Sequence, residues 1–457
     1  MGRINTCPLC LEKQREIDRL KEEIVLLKRR LSYRERTEGL FGSSTPSSQI
    51  PIKANTEKAK KPRGAKVGHT GCGRKAFSLS DADRVERVDT MVGEVCPFCG
   101  GLLEDKGDEF RSVLDIHPVK AQRVVYVHKK KWCRRCRKTF RGEVPGVLPR
   151  SLYSNRLMAT ATTMHYLHGI PLGRVCEQVG VGDGSLMDIF HRMGRLFEGI
   201  VPKLIQEYRQ APVKHADETG WRTDGKNGYA WLFATSKISI FLFKKTRSSS
   251  VPRALFGDER LPGTLVVDRY NGYNKMPCDI QYCYSHLLRE VQDLEKEFPD
   301  QTEITVFVST VAPLLALAMG LRGQSISDAQ FLEQASELKT QIKAAMEAPA
   351  QHLGIVRIQD IFVEQQGRLY HWAENRDIPA DNNLAERDLR PTVIARKVSF
   401  GSQSDAGAHT RSIVMTVVHT LRKRGEDVAA RLTYALDELA KDMSKDPFSL
   451  LFPTHPP

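Results

Sequence analysis

Between residues 213 and 284 the chain carries five short strand-like runs, and their spacing restricts the fold more than any other feature. The first three, Val213 to Asp217, Tyr229 to Thr235 and Ile238 to Phe243, follow closely on one another. Gly225-Lys226-Asn227-Gly228 and Ser236-Lys237 between them are short turns suited to hairpins. The last two, Leu265 to Asp268 and Ile280 to Tyr284, stand apart. Adjacent strands followed by strands alternating with helices describe one α/β sheet. After Glu290 the pattern is mainly helical to about Trp372, and Ser412 to Met443 is a closing amphipathic helical region.

The chain has 457 residues, more than one ordinary core, so several modules are expected. Region 1–38 opens with Cys7-Pro8-Leu9-Cys10 and continues as a charged helix. Its Ile17, Leu20, Ile24, Leu27 and Leu31 follow steps of three and four. That seam serves either as a dimerisation coiled coil or as an amphipathic helix packed on its own chain. Cys7 and Cys10 are two ligands where structural zinc takes four, so a second chain completes the site or they are plain thiols. Region 39–75 reads as linker. Between Lys53 and Lys75 it has eight Lys/Arg and one acid, the mark of a solvated tail or a basic arm that orders on DNA.

Region 76–145 contains Cys96-Pro97-Phe98-Cys99 and Cys133-Arg134-Arg135-Cys136. Each pair suits one side of a tetrahedral structural Zn²⁺, with Gly100-Gly101 freeing the turn. Val113, Asp115 and His117, then Val124 to Val127, fit the strands of a zinc-ribbon-like domain. The basic residues Lys129, Lys130, Lys131, Arg134, Arg135, Arg137 and Lys138, with Trp132 and Phe140 interleaved, point towards phosphate contacts. Region 146–210 is helical, broken at Gly169-Ile170-Pro171 and around Val179 to Ser185. Helix, turn and a helix starting near Ser185 are compatible with a helix-turn-helix. The net charge of +14 favours a polyanionic partner. Met1 to Lys13 lacks the apolar stretch of a secretion signal, and Ile304 to Leu321 is expected to be buried rather than membrane-spanning. Ten cysteines, six of them in Cys-x-x-Cys pairs, fit metal binding in a reducing cytoplasm.

Three acidic residues organise the rest. Asp217 follows Pro212-Val213-Lys214, Asp268 ends an apolar strand, and Glu386 lies in the segment 381–391 among Arg387, Arg390, Arg396 and Lys397. The preceding Asp381-Asn382-Asn383 can cap a helix. Asp, Asp and a distant helical Glu in that order form a DDE nucleotidyltransferase site. Its carboxylates suit two Mg²⁺ or Mn²⁺ ions roughly 3.5–4 Å apart. Glu218 and Asp388 are the local alternatives, although a two-residue helical step turns Asp388 away from Glu386.

Asp-Glu-Thr-Gly-Trp at 217–221, Val-Val-Asp-Arg-Tyr-Asn-Gly-Tyr-Asn at 266–274 and Asn-Asn-Leu-Ala-Glu-Arg-Asp-Leu-Arg-Pro at 382–391 resemble the insertion-sequence-66 family of bacterial DDE transposases. The resemblance extends to the leucine-rich helix, the Gly-His linker at 66–69 and the Cys-x-x-Cys region. It implies a ribonuclease-H-like catalytic domain over 211–405, with a helical insertion at about 291–372 and a helical region at 406–457. It also implies Asp217, Asp268 and Glu386 as catalytic metal ligands, and terminal inverted repeats and target DNA as substrates. A homo-oligomer, element-encoded accessory proteins and a nucleoid-associated cytoplasmic location are expected with it. Two departures are read: Arg396 to Ser402 lacks the family's Arg-Lys-Asn run, and Ser285 to Arg289 replaces its more usual Cys-x-x-His-x-x-Arg form. The rival readings are a domesticated non-catalytic DNA-binding protein and a nuclease that cuts without joining.

Overall fold

The structure is a computed structural model. It describes residues 144–453 without a break and, before them, 13, 19–20, 80, 94–96, 98–102, 121–127, 130–133, 135 and 137–141. The chain divides into two compact units, 52–120 and the remainder. The leucine-rich helix (apart from helical Lys13, Arg19 and Leu20), Cys7, Cys10, the basic linker and the strands expected around Val113 to His117 lie outside the described residues.

In the larger unit, β1 (Lys130–Cys133) and β2 (Lys138–Arg141) form an antiparallel hairpin. The strand expected at Val124 to Val127 is absent. Those four residues are exposed and have no ladder partner among the described residues, and β-branched side chains favour a strand only where a neighbour packs against them.

The central sheet contains β3 (Val213–Thr223), β4 (Lys226–Ala234), β5 (Ser239–Lys244), β6 (Thr264–Val267) and β7 (Asp279–Tyr282), in the order β5-β4-β3-β6-β7. The first three run antiparallel, and β3, β6 and β7 run parallel. The first turn falls two residues earlier than the glycines indicate. Thr223 pairs with Lys226, leaving Asp224 and Gly225 at φ 52° and 69°. Two successive positive φ values match the right-handed twist of a two-residue hairpin, so Lys226 to Gly228 can join β4. The Ser236-Lys237 turn stands as expected, closed by Thr235 N–H donating to Ile238 O.

Helices cover both sides. Before the sheet come α1 (Asn155–Thr162), which continues into one π turn at Thr163–Leu167, then α2 (Leu172–Val179), α3 (Asp183–Phe197) and α4 (Ile200–Gln210). Helix α5 (Ser250–Phe256) joins β5 to β6. After β7 follow α6 (Tyr284–Glu297), α7 (Thr302–Leu321), α8 (Asp328–Glu347), α9 (Leu353–Glu364) and α10 (His371–Glu374). Then come α11 (Asn383–Ser399), α12 (Asp405–Lys423), α13 (Val428–Lys441) and α14 (Pro447–Leu451). Pro171 precedes α2 and Gly180 ends it at φ 66°, the breaks legible in the sequence. Helix α3 buries Leu186, Ile189, Phe190, Met193 and Phe197 and exposes Asp183, Asp188 and Arg195. Helix α7, the apolar run, buries Ile304, Phe307, Val308, Val311, Leu315, Ala318 and Leu321 and packs between α6 and α8. It is long and apolar enough to cross a membrane by length and composition, yet it forms one face of this helical layer.

Polar side chains of α12 cover the β5 edge of the sheet. Thr416 and Thr420 of α12 accept from the backbone N–H of Phe241 and Ser239, and Ser412 donates to Phe241 O. Four-residue steps align these three hydroxyls along β5. At the opposite edge, Gln281 of β7 donates to Leu369 O and accepts from Trp372 N–H. An uncovered edge would template intermolecular pairing.

Candidate active site

Asp217 is the fifth residue of β3 and lies within the strand rather than at its end. What ends beside it is the parallel ladder. Pairing of β3 with β6 stops at His215 opposite Val266, and the same offset continued by two residues sets 268 opposite 217. The two aspartates therefore meet at the carboxyl end of the parallel strands, where open α/β sheets hold ligands.

Glu386 reaches this position from the first turn of α11. The Asp-Asn-Asn segment does more than cap. Asp381 Oδ1 accepts from Asn383 N–H, while buried Asn382 at the N-cap turns its side chain away from the helix. Asn382 Nδ2 donates to Ala216 O at 2.9 Å, and Oδ1 meets His215 Nδ1 at 2.9 Å. Its backbone N–H points at Cys283 Sγ at 3.1 Å. These contacts register α11 against β3 immediately before Asp217.

The electrostatics reflect the convergence. Burial, then Glu218, Asp268 and Glu386, push the Asp217 carboxyl well above the usual carboxylate range. Glu386 Oε1 is buried without a hydrogen-bond partner. Mutually repelling, under-satisfied carboxylates are the donor set that hard divalent cations satisfy.

The local alternatives have other partners. Buried Glu218 receives Arg247 at 2.7 Å and the Tyr273 hydroxyl at 2.5 Å, so both its oxygens are engaged. The turn after Asp268 supplies that tyrosine: Tyr270 N–H donates to Asp268 Oδ1 and a short 3₁₀ segment at Asn271–Tyr273 follows. Arg247 also lies 4.3 Å from the Tyr270 ring centre. Asp388 pairs with Lys423 and accepts from Ser239 Oγ, away from Glu386 as the helical step requires.

Basic residues of α11 divide in two. Arg387, Arg390 and Lys397 are exposed. Arg396 is buried, donating to Thr219 Oγ1 and Gly220 O, so it ties α11 to β3 instead of offering a surface cation. Beyond it, Gly401 lies against Arg222 O at φ 132°, and Ser402 N–H donates to that same oxygen.

The departure expected at Ser285 to Arg289 is not present. Cys283, His286 and Arg289 themselves stand at the Cys-x-x-His-x-x-Arg spacing. Burial pushes the Cys283 thiol up to about 11. Among the described residues, donor atoms of Cys283, His286 and Glu386 lie within 4.8 Å of one another. Arg289 is exposed, and Arg269 pairs with Glu290. The sequence reading overlooked Asn382's cross-link and the roles of Arg247 and Tyr273. The Asn at 382 was visible, whereas a contact spanning 167 residues was not.

Residues 150–410, more than half of the chain, match the family model described as transposase IS66 family. The chain belongs to the IS66 transposase family. Residues 94–137 match the zinc-finger binding domain of transposase IS66. Among relatives, the uncharacterized protein y4qI of Sinorhizobium fredii is 26% identical, over 90% of this chain and 81% of its own length. The uncharacterized protein y4jD of the same organism is 21% identical, over 86% of this chain and 84% of its own length.

The zinc-finger match spans both Cys-x-x-Cys pairs of this IS66 transposase. In the smaller unit, Cys96 N–H donates to Gly101 O and Gly100 N–H to Cys96 O, with Gly100 at φ 71°. Backbone N–H groups of Phe98 and Cys99, then the Cys99 side chain, lower the Cys96 thiol's pKa. Amide donors around a thiol stabilise the thiolate that zinc requires. In the larger unit Cys133 ends β1, half-buried, while Cys136 lies outside the described residues. Lys131, Arg135 and Arg137 are exposed, and the Lys129, Lys130, Arg134 and Lys138 side chains lie outside the described ones.

Proposed function

We propose that this transposase cleaves DNA at its element's ends and joins the freed 3′ hydroxyl to target DNA, with Asp217, Asp268 and Glu386 as its catalytic metal ligands. One observation carries the reading. Three carboxylates remote in sequence converge at the carboxyl end of a parallel ladder, where Asp268 and Glu386 both act on the Asp217 carboxyl. The strand order β5-β4-β3-β6-β7, three antiparallel strands then two parallel ones, supports a ribonuclease-H-like core. When bound, two Mg²⁺ or Mn²⁺ ions would supply the positive charge that activates a nucleophile and stabilises a departing 3′ oxygen. The protein's part is to hold the carboxylates in register. Asn382 fixes the helix of Glu386 on β3, Tyr270 N–H orients Asp268, and Arg247 with Tyr273 keeps Glu218 out of the ligand set. Exposed Arg387, Arg390 and Lys397 are suited to draw the phosphodiester backbone towards Glu386. The two Cys-x-x-Cys pairs hold structural zinc in a module that contacts DNA, a reading supported by the zinc-finger match.

The test is strand cleavage and joining on DNA bearing the element's ends, with Mg²⁺ present and any accessory proteins supplied. Glu386→Gln should lower joined product roughly a thousandfold, the scale of several kcal/mol of lost charge stabilisation, with DNA binding retained. Hydrolysis without joining by the unaltered protein would favour the nuclease. Tight binding without cleavage would favour the domesticated binder.

A further inference from the structure

Cys283 is the N-cap of α6, and His286 lies three residues on, in its first turn. Positions i and i+3 share a helical face. There the donor atoms of Cys283, His286 and Glu386 come within 4.8 Å of one another. His286 Nδ1 and Glu386 Oε1 are both buried without a hydrogen-bond partner. Buried polar groups left without partners are costly, so two in one small cluster call for a ligand.

We propose that Cys283, His286 and Glu386 bind a borderline-soft divalent transition-metal ion, of the zinc or cobalt type, at a site distinct from the zinc finger. Sulfur, imidazole and carboxylate are the donor types that Zn²⁺ accepts, whereas Mg²⁺ takes oxygen almost alone. Ligand atoms around a tetrahedral zinc stand about 3.3–3.8 Å apart, given bond lengths near 2.0–2.3 Å. A spread of up to 4.8 Å therefore needs closure of about 1 Å, within the reach of side-chain rotation. Asn382 N–H points at Cys283 Sγ, as outer donors do at metal-bound thiolates. Cys283 N–H in turn donates to Val267 O, which anchors this cluster one residue from Asp268.

Sharing Glu386 has a consequence that rests on the proposed function. An ion held by Cys283 and His286 withdraws Glu386 from Asp217 and Asp268, so transition-metal occupancy inhibits magnesium-dependent strand transfer. Binding itself does not depend on that function.

The experiment titrates full-length, zinc-replete protein with Co²⁺ and follows thiolate-to-cobalt absorption, with zinc content measured by mass spectrometry. The expected result is a saturable band at one Co²⁺ per chain that persists in excess Mg²⁺. Cys283→Ser should abolish it without changing zinc content. His286→Gln should weaken Co²⁺ binding by at least the roughly 10–100-fold that loss of even an outer-shell partner costs. This variant leaves the Asn382–Cys283 contact in place, so it decides the matter if Cys283→Ser misfolds. No band in the unaltered protein, an equal band in Cys283→Ser, or unchanged affinity in His286→Gln overturns the proposal. Cleavage lost by every route while the cobalt band stands would sink the transposition chemistry alone. Intact cleavage with no band would sink the metal site alone.

Discussion

Asp217 is the residue at which stability and proposed function conflict. Burial and three neighbouring carboxylates push its carboxyl well above the usual carboxylate range. A folded-state pKa above the unfolded one means that the folded state holds the extra proton. The group therefore costs stability as pH rises from about 4 through its folded value, and that cost stays constant above it. Asp217→Asn should raise the melting temperature without divalent ions, while Mg²⁺ or Mn²⁺ should stabilise the unaltered protein more than the variant. A lower melting temperature for Asp217→Asn would mean that the carboxylates are not in conflict. Asp388 offers the contrast. It faces Lys423 and Ser239, so Asp388→Asn should keep strand transfer within about tenfold of the unaltered protein, since it touches no reacting group. A loss as deep as that of Glu386→Gln would mean that the wrong carboxylate has been chosen.

Among the elements, α12 departs most from the sequence-based picture. The boundary drawn at 405/406 treats the following helices as a closing appendage, yet α12 completes the sheet by satisfying β5's outer backbone groups. Its Thr416, Thr420 and Ser412 look like ordinary polar positions in an amphipathic pattern until the strand they face is known. Thr416→Val removes the acceptor for Phe241 N–H while keeping shape. It should cost roughly 1–3 kcal/mol in denaturant unfolding, the penalty of one orphaned buried donor. Adding Thr420→Val should expose the edge and increase light scattering on refolding. Unchanged stability in the single variant would mean that the edge is satisfied in another way. Helix breaks at Pro171 and Gly180 were legible because they depend on local backbone chemistry. The edge was not, because it is a contact across 175 residues.

On the scale of the whole molecule, three histidines, His215 and His419 buried and His165 half-buried, sit where separate elements meet. His165 in the π turn accepts from Arg411 of α12, and its Nδ1 donates to Ile170 O. His419 of α12 bonds Tyr166 O, and His215 of β3 meets Asn382 of α11. Burial is the first cause in each case and lowers each to about 4 from 6.5. Folded values below the unfolded one mean that unfolding takes up protons between those limits. Stability is thus lost as pH falls from 6.5 to about 4, with no further loss from these groups below that. By linkage the upper bound is about 3 kcal/mol for each site. Denaturation midpoints at pH 7, 5 and 4 should fall steadily, and His419→Gln should flatten the dependence by about one proton. A parallel dependence in that variant would remove His419 from the account.

The sequence by itself determined what is local or chemically typed: the Ser236-Lys237 turn, helix breaks, paired cysteines, an α/β alternation and three candidate carboxylates. It did so because backbone preference, metal-donor chemistry and hydrophobic periodicity are properties of neighbouring residues. The tertiary structure alone decided that Asp217 lies within a strand, beside the end of a parallel ladder. It also decided that Asn382 reaches across to β3 and that Arg396 is turned inward. Only there do the hydroxyls of α12 close the sheet edge, and Cys283 and His286 meet Glu386. Each of these depends on which distant segments share a face of the sheet, and that follows from packing residues 144–453 around a common core.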